Sequence, residues 1–177
     1  AASVTIVGGS NLANCVENRQ MPMINWTEEL SVGTDTIDAD HKVLIDMINR
    51  LDEAIKTKEP HGTVNRVLGE LLDYTGYHFD REQELMKAAN YPDLDAHIRT
   101  HGTLKAQVAD IRNRYERNPN SIHEREVLAF LKNWLASHIL GRDKLYAPFM
   151  DSRREDVDKA NEAFKRNTKE APVSAGG

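Results

Sequence analysis

Five of the seven histidines fall on the apolar stripes of predicted helices, where their rings would be buried. Each lies three, four or seven residues from an apolar neighbour, and the set is His41, His78, His97, His101 and His138. Glu82 follows His78 by four residues, and His101 follows His97 by four, so each pair shares one helix face, one turn apart. A buried imidazole or carboxylate must find a partner or cost stability. These positions are therefore candidates for a metal site.

Four amphipathic helices are predicted to position these groups. The apolar stripes run from Asp38 to Glu59, from Val64 to Met86, from Leu94 to Tyr115 and from Ser121 to His138. Ser121 with Glu124 three residues later matches a capping box, in which each side chain satisfies a backbone N–H of the first turn. Short connections favour an all-α, antiparallel up-down-up-down four-helix bundle. An N-terminal extended arm and a possible short C-terminal helix complete the predicted fold.

The candidate residues are expected to meet at one end of this bundle. In an antiparallel bundle the start of one helix lies beside the end of the next, and the candidates occupy starts in the first and third helices and ends in the second and fourth. Asp143 follows His138 by five residues, a spacing that an undistorted helix would rotate off the site. Gly141 lies between them and can let the backbone bend, so Asp143 is included in the candidate set.

A single histidine on an apolar face is more often a hydrogen-bonded core residue than a metal ligand. His61 and His123, at predicted helix starts, are expected to be solvated. Four helices that place such residues at one level favour a metal site, because unpaired buried imidazoles and carboxylates would together cost several kcal/mol. Seven ligands are too many for one tetrahedral zinc, and imidazole with carboxylate suits iron. Two metal ions are therefore predicted.

Residues 25 to about 150 resemble the hemerythrin family, in particular its bacterial branch. The resemblance is carried by Trp26, Val32-Gly33, Ile37-Asp38, Asp40 to Leu44, His78 to Glu82, His97 to His101, Trp134 to Ile139, and Asp143. It implies that one iron takes His97, His101 and His138. It implies that the other iron takes His41 and His78 and keeps an open position. Glu82 and Asp143 would bridge the two irons, together with a solvent-derived oxo or hydroxo group.

The resemblance implies reversible binding of molecular oxygen at a non-haem di-iron centre, for oxygen storage, delivery or sensing, and not an enzyme. The ligand set agrees, because no Glu-x-x-His motif is present and five neutral imidazoles with two carboxylates disfavour O–O cleavage. The resemblance further implies that Leu135, one turn before His138, lines the oxygen pocket. Phe79 and Trp134 are further pocket candidates, although core packing is the more common role for them and for Tyr146.

Three segments are predicted along the chain. Residues 1–22 form an N-terminal extension, residues 23–151 form the helical domain, and residues 152–177 form a charged C-terminal tail. Val157, Ala160 and Phe164 indicate a further short helix in that tail.

Charge and composition exclude some partners. The net charge of −5, without a basic stripe, argues against nucleic acid and anionic membranes as partners. The apolar runs are far shorter than the roughly 20 residues that cross a bilayer. Cys15 is the only cysteine, so no intrachain disulfide is possible and a cytoplasmic location is expected.

Two other functions share this site chemistry. The missing initiating Met, the extension before Met23 and the charged tail would suit an oxygen or redox sensory domain of a larger signalling protein, with a protein partner or a fused domain. Ends derived from an expression vector would look the same. A di-iron oxidase or peroxidase is disfavoured by the histidine-rich ligands.

Overall fold

The computed structural model describes residues 24–168, and within that range every regular element is helical. The helices are α1 (Asp35–Lys56), α2 (His61–Ala88), α3 (Leu94–Arg117), α4 (Glu124–His138), α5 (Lys144–Ser152) and α6 (Arg154–Asn167). Short 3-10 turns at Glu28–Leu30 and Pro119–Ser121 and a π-helical turn at Ile139–Asp143 complete the set. The predicted all-α four-helix bundle is confirmed, with α1 to α4 as its helices. The predicted extension over residues 1–22 lies outside the described residues.

Helices α1 and α2 end with the same backbone motif. Lys58 and Asn90 adopt left-handed conformations, with φ of 55° and 53°. After α1 the N–H of Glu59 donates to the carbonyl of Ala54, and after α2 the N–H of Tyr91 donates to that of Met86. This six-to-one bond satisfies carbonyls that a helix end leaves free. It also turns the chain sharply, so that the next helix runs back beside the last.

The predicted capping box at the start of α4 is wrong. The Ser121 hydroxyl donates to the Asn118 carbonyl at 2.7 Å, and the Glu124 carboxylate accepts from the Tyr115 hydroxyl at 3.2 Å. The helix begins at Glu124, with His123 as an N-cap residue that makes no side-chain capping bond. Both side chains are held by the preceding turn and by α3, and the local pattern could not reveal this competition.

Helix α6 packs against α2 instead of projecting into solvent. It has 14 residues, and Val157, Asn161 and Phe164 are its buried positions. The sequence predicted this helix only as a short possibility within a charged tail. Only one narrow stripe of α6 faces the bundle, so few of its residues are apolar.

The interior between α1, α2, α3 and α4 is filled with Leu, Ile, Val and Met side chains over most of the bundle length. Towards the end where α2 finishes and α3 begins, this packing gives way to buried polar groups. Across residues 24–168, no helix has both the length and the apolar character that a bilayer crossing requires.

Candidate metal centre

A π-helical turn between α4 and α5 positions Asp143. In a π-helix the backbone bonds run to the fifth residue, so residues five apart lie over one another. This turn spans Ile139–Asp143, and it brings Asp143 Oδ1 to 3.1 Å from His138 Nε2. Gly141 lies inside the turn without a positive φ. The bend predicted at Gly141 therefore comes from the wider helical turn and not from glycine's conformational freedom.

Three imidazole nitrogens form a tight triangle at this end of the bundle. The Nε2 atoms of His97, His101 and His138 lie 3.0, 3.0 and 3.2 Å from one another. Ligand atoms about 2.1 Å from one ion lie about 3.0 Å apart at right angles, and about 3.4 Å apart in a tetrahedron. The triangle therefore has the spacing of three ligand atoms on one metal ion.

A second group of candidate ligands lies beside the first. His41, His78 and Glu82 bring one ligand atom each to within 4.8 Å of one another, and Glu82 also belongs to the group of His97, His101 and His138. Glu82 Oε2 lies 3.1 Å from His101 Nε2, 3.6 Å from His97 Nε2 and 4.0 Å from His78 Nε2. One carboxylate thus faces both groups.

Asp143 joins the two groups with its two oxygens. Oδ1 lies 3.1 Å from His138 Nε2 and 3.4 Å from His97 Nε2, whereas Oδ2 lies 3.4 Å from His41 Nε2. All seven predicted ligands therefore come together, and every one is at most 4% exposed.

Several buried atoms in this cluster lack hydrogen-bond partners among residues 24–168. They are both ring nitrogens of His41, Glu82 Oε2 and both carboxylate oxygens of Asp143. The triangle of Nε2 atoms is also unsatisfiable by itself, because a neutral imidazole nitrogen is either a donor or an acceptor. Buried lone pairs that converge without hydrogen-bond partners are what a cation satisfies. The donor set therefore fits a metal centre.

The electrostatics keep His101, Glu82 and Asp143 in the state that metal binding needs. Burial lowers the pKa of His101 to about 4, so its ring is neutral at neutral pH. Burial opposes ionisation of Glu82, but the imidazoles of His101 and His97 outweigh it and hold the Glu82 pKa well below its usual range. For Asp143 the imidazoles of His138 and His41 likewise outweigh burial and the nearby Glu82 charge, so its pKa is lowered. Burial lowers the pKa of His41, but Asp143 at 3.4 Å reverses the sign, so the net pKa is raised.

A buried polar network supports His78 from behind. Asp40 Oδ2 lies 3.5 Å from His78 Nδ1, the ring nitrogen that faces away from Glu82. Asp40 also accepts from the Tyr74 hydroxyl at 2.8 Å and from Arg81 Nη1 at 2.9 and 3.0 Å. A carboxylate behind a ligating histidine fixes the tautomer and ring orientation. The sequence placed Asp40 and Arg81 only within family motifs, and their role behind His78 follows from contacts that the sequence does not show.

Aromatic rings enclose two of the imidazoles. Phe79 stacks on His101 with ring centroids 3.6 Å apart, and Trp134 stacks on His138 at 4.3 Å. Tyr146 is fully buried and its hydroxyl donates to Glu82 Oε1. Burial and the Glu82 charge raise the pKa of Tyr146 well above its usual value, so it remains a donor. The sequence favoured core packing for Tyr146, and its contact with Glu82 is an additional role.

The helices and the buried polar cluster define a class of protein, a helical bundle with an internal metal centre. Comparison with known proteins gives the same class. The profile described as the hemerythrin HHE cation binding domain matches residues 32–150. Bacteriohemerythrin from Stenotrophomonas maltophilia is 37% identical over 127 residues, covering 72% of this chain and 81% of that protein. Bacteriohemerythrin from Methylococcus capsulatus is 29% identical over 133 residues, covering 75% of this chain and 100% of that protein.

Solved structures agree with the sequence comparison. The crystal structure of a wild-type hemerythrin superposes with a TM-score of 0.66 at 29% identity, covering 72% of this chain and 98% of that one. A leucine-to-tyrosine mutant of hemerythrin gives a TM-score of 0.69 at 28% identity, covering 73% of this chain and 98% of that one. The chain belongs to the hemerythrin family. Helix α6 lies beyond the matched residues 32–150.

Proposed function

We propose that this protein binds molecular oxygen reversibly at two non-haem iron ions, held by five histidines and bridged by Glu82 and Asp143. The observation that supports it most directly is the placement of Asp143, whose two oxygens face different groups of imidazoles. A carboxylate that served a single ion would not need imidazoles on both sides. Membership of the hemerythrin family supports the same assignment.

The two ions would have unequal ligand sets. His97, His101 and His138 would hold one ion, and His41 with His78 would hold the other. Glu82 and Asp143 would contribute to both, together with a solvent-derived oxo or hydroxo bridge. The ion with two histidines has fewer protein ligands, so it is the one with room for oxygen. When bound, the pair of irons supplies the electrons and the open position that oxygen binding requires.

The protein's own part is to hold the donors rigidly and to exclude water. His101 stays unprotonated at neutral pH, and Glu82 and Asp143 stay ionised. Phe79 and Trp134 stack on the rings of His101 and His138 and leave them little freedom to rotate. Leu135, one turn before His138, is 5% exposed and is proposed to form the apolar wall of the oxygen pocket. A dry wall favours release of oxygen over side reactions.

Binding is favoured over oxidation by the charge of the donors. Five neutral imidazoles and two carboxylates leave less negative charge on the metals than carboxylate-rich di-iron sites do. High-valent iron is then poorly stabilised. A sensory role remains the second candidate, and the observation that favours it is the extra helix α6 docked on α2, the helix that carries His78 and Glu82.

The test is an anaerobic titration of the metal-free protein with ferrous iron, followed by oxygen. We expect saturation at two irons per chain, and uptake of one oxygen molecule per two irons that argon reverses. Uptake that consumes oxygen with continued turnover of an added reductant would support an oxidase instead. Saturation at one iron per chain would overturn the di-iron assignment.

A further inference from the structure

Helix α6 lies wholly outside residues 32–150, which match the family, yet it contacts the helix that carries two candidate ligands. It runs from Arg154 to Asn167 and packs along α2. Its buried positions differ, because Val157 joins the main hydrophobic core whereas Asn161 and Phe164 do not. The contacts of Asn161 and Phe164 therefore require a local explanation.

Phe164 and Asn161 anchor α6 at specific points. The Phe164 ring packs on Tyr77, with centroids 5.3 Å apart, and is only 8% exposed. Asn161 donates from Nδ2 to the Thr36 hydroxyl at 3.0 Å, which ties α6 to the first turn of α1. The helix is thus fixed to both α1 and α2.

The Phe164 ring also covers Arg81. The guanidinium carbon of Arg81 lies 5.4 Å from the Phe164 centroid and 4.6 Å from the Tyr77 centroid. The Arg81 Nη2 group donates to the Tyr77 hydroxyl. A guanidinium packed beside two aromatic rings gains cation–π attraction and loses contact with water. Arg81 is accordingly only 7% exposed.

From Arg81 the contacts continue to the proposed metal ligand. Arg81 Nη1 donates to both oxygens of Asp40, and Asp40 lies 3.5 Å from His78 Nδ1. Asp40 is 3% exposed, so a buried carboxylate relies on Arg81 for charge compensation. If Phe164 moved away, Arg81 would gain water and rotamers, and Asp40 would hold the His78 ring less firmly.

We propose that α6 is a docking clamp, in which Phe164 acts through Arg81 and Asp40 to position His78. Metal binding at His78 and docking of α6 then stabilise each other, because coupling between two binding events is reciprocal. This inference rests on the proposed function in one respect, that His78 is a metal ligand. It goes further because it gives α6 a role: the docking of this helix reports whether the metal centre is filled.

The first experiment measures amide hydrogen exchange in the full chain, metal-free and loaded with ferrous iron under anaerobic conditions. We expect iron to slow exchange over residues 157–166 by on the order of tenfold, within the usual range of coupled sites. The variant Asp40→Asn keeps the size of the side chain and removes its charge. In that variant iron should still bind, and its effect on α6 exchange should be largely lost.

The second experiment measures iron loss from the reduced protein to a ferrous chelator. In Phe164→Ala, half of the iron should leave on the order of tenfold faster, and the other half should keep its rate. Loss of a side chain that supports a metal ligand typically changes metal affinity by at least this factor. A general loss of stability would speed both halves. Phe164→Leu, which keeps an apolar side chain, should show a smaller change in the same half. Phe130→Ala on α4, a half-buried phenylalanine outside the cluster, is the matched control and should change neither half.

The outcomes separate the two claims. Failure to bind iron would overturn the proposed function and this inference together. Binding of two irons with unchanged α6 exchange, or with equal acceleration of both halves in Phe164→Ala, would overturn the clamp and leave the di-iron proposal standing.

Discussion

Polar side chains meet at both ends of the bundle, but their hydrogen bonds are satisfied differently. At the end where α2 starts, His61 Nδ1 lies 3.0 Å from the Tyr115 hydroxyl, which donates to Glu124 at 3.2 Å. At the opposite end, buried atoms of His41, Glu82 and Asp143 lack hydrogen-bond partners among the described residues. The first arrangement is a closed tie between helices α2, α3 and α4. The second is complete only with a cation, so satisfaction of hydrogen bonds, and not residue type, separates a structural cluster from a metal centre.

The largest expected effect comes from removing a carboxylate at the metal end. Glu82→Ala deletes a group that faces both sets of imidazoles, so we expect iron content to fall from two to one or fewer per chain and oxygen binding to be lost. Glu84→Ala, two residues along the same helix and exposed, is the matched control. Iron analysis of both purified variants checks this. Two irons in Glu82→Ala, with a normal oxygen spectrum, would refute the bridging role.

Removal of the metal should affect the stability of the whole chain. Saturating iron at about 1,000 times its dissociation constant contributes about 4 kcal/mol, and each kcal/mol is worth about 2–4 °C for a domain of this size. We therefore expect the Tm of the metal-free protein to rise by about 10 °C on addition of ferrous iron. Thermal unfolding followed by circular dichroism under anaerobic conditions measures it. An unchanged Tm would mean that the buried imidazoles are satisfied without metal.

The contrast between the two ends also explains what the sequence could predict. The helices and the level of the histidines follow from apolar periodicity and from the antiparallel order of helices, both of which are local or topological. The position of Asp143 needed a π-helical turn, which has no strong sequence signal, although Gly141 pointed to the right place. The roles of Tyr146 and Arg81 depend on contacts with Glu82, Asp40 and α6 that are distant in sequence. The failed capping box at Ser121 and Glu124 has the same cause, since Tyr115 on α3 takes the carboxylate.

A smaller effect is expected at the pocket wall. Leu135→Thr introduces a hydroxyl one turn before His138, where a wetter wall should speed oxidation of the iron in air by several-fold. Leu128→Thr, buried two turns further from His138, is the control for destabilisation. The decay of the oxygen-dependent absorption gives both rates. Equal rates in the two variants would remove Leu135 from the pocket wall.

The smallest effect concerns the tie at the other end. Burial and Glu124 raise the pKa of Tyr115 to about 12, from an ordinary value of 10. The folded state therefore keeps a proton that the unfolded chain loses between pH 10 and 12, so this contribution is full below pH 10 and is lost as pH rises towards 12. Tyr115→Phe should cost about 1 kcal/mol at pH 8 and less at pH 11.

Urea unfolding of the wild type and of Tyr115→Phe at pH 8 and pH 11 measures that difference. Iron content at pH 8 should be identical in the two proteins, since the tie lies at the far end of the bundle. A loss of iron in Tyr115→Phe would contradict the separation of the two ends.

We propose that seven side chains at one end of the bundle hold an iron pair that takes up and releases oxygen. The most direct measurement is the optical spectrum of the reduced, iron-loaded protein before air, after air and after removal of oxygen, over several cycles. Ligand-to-iron charge-transfer bands should appear with oxygen and disappear with it, at full amplitude each time. Bands that never form, or that form once and cannot be reversed without a reductant, would contradict reversible binding.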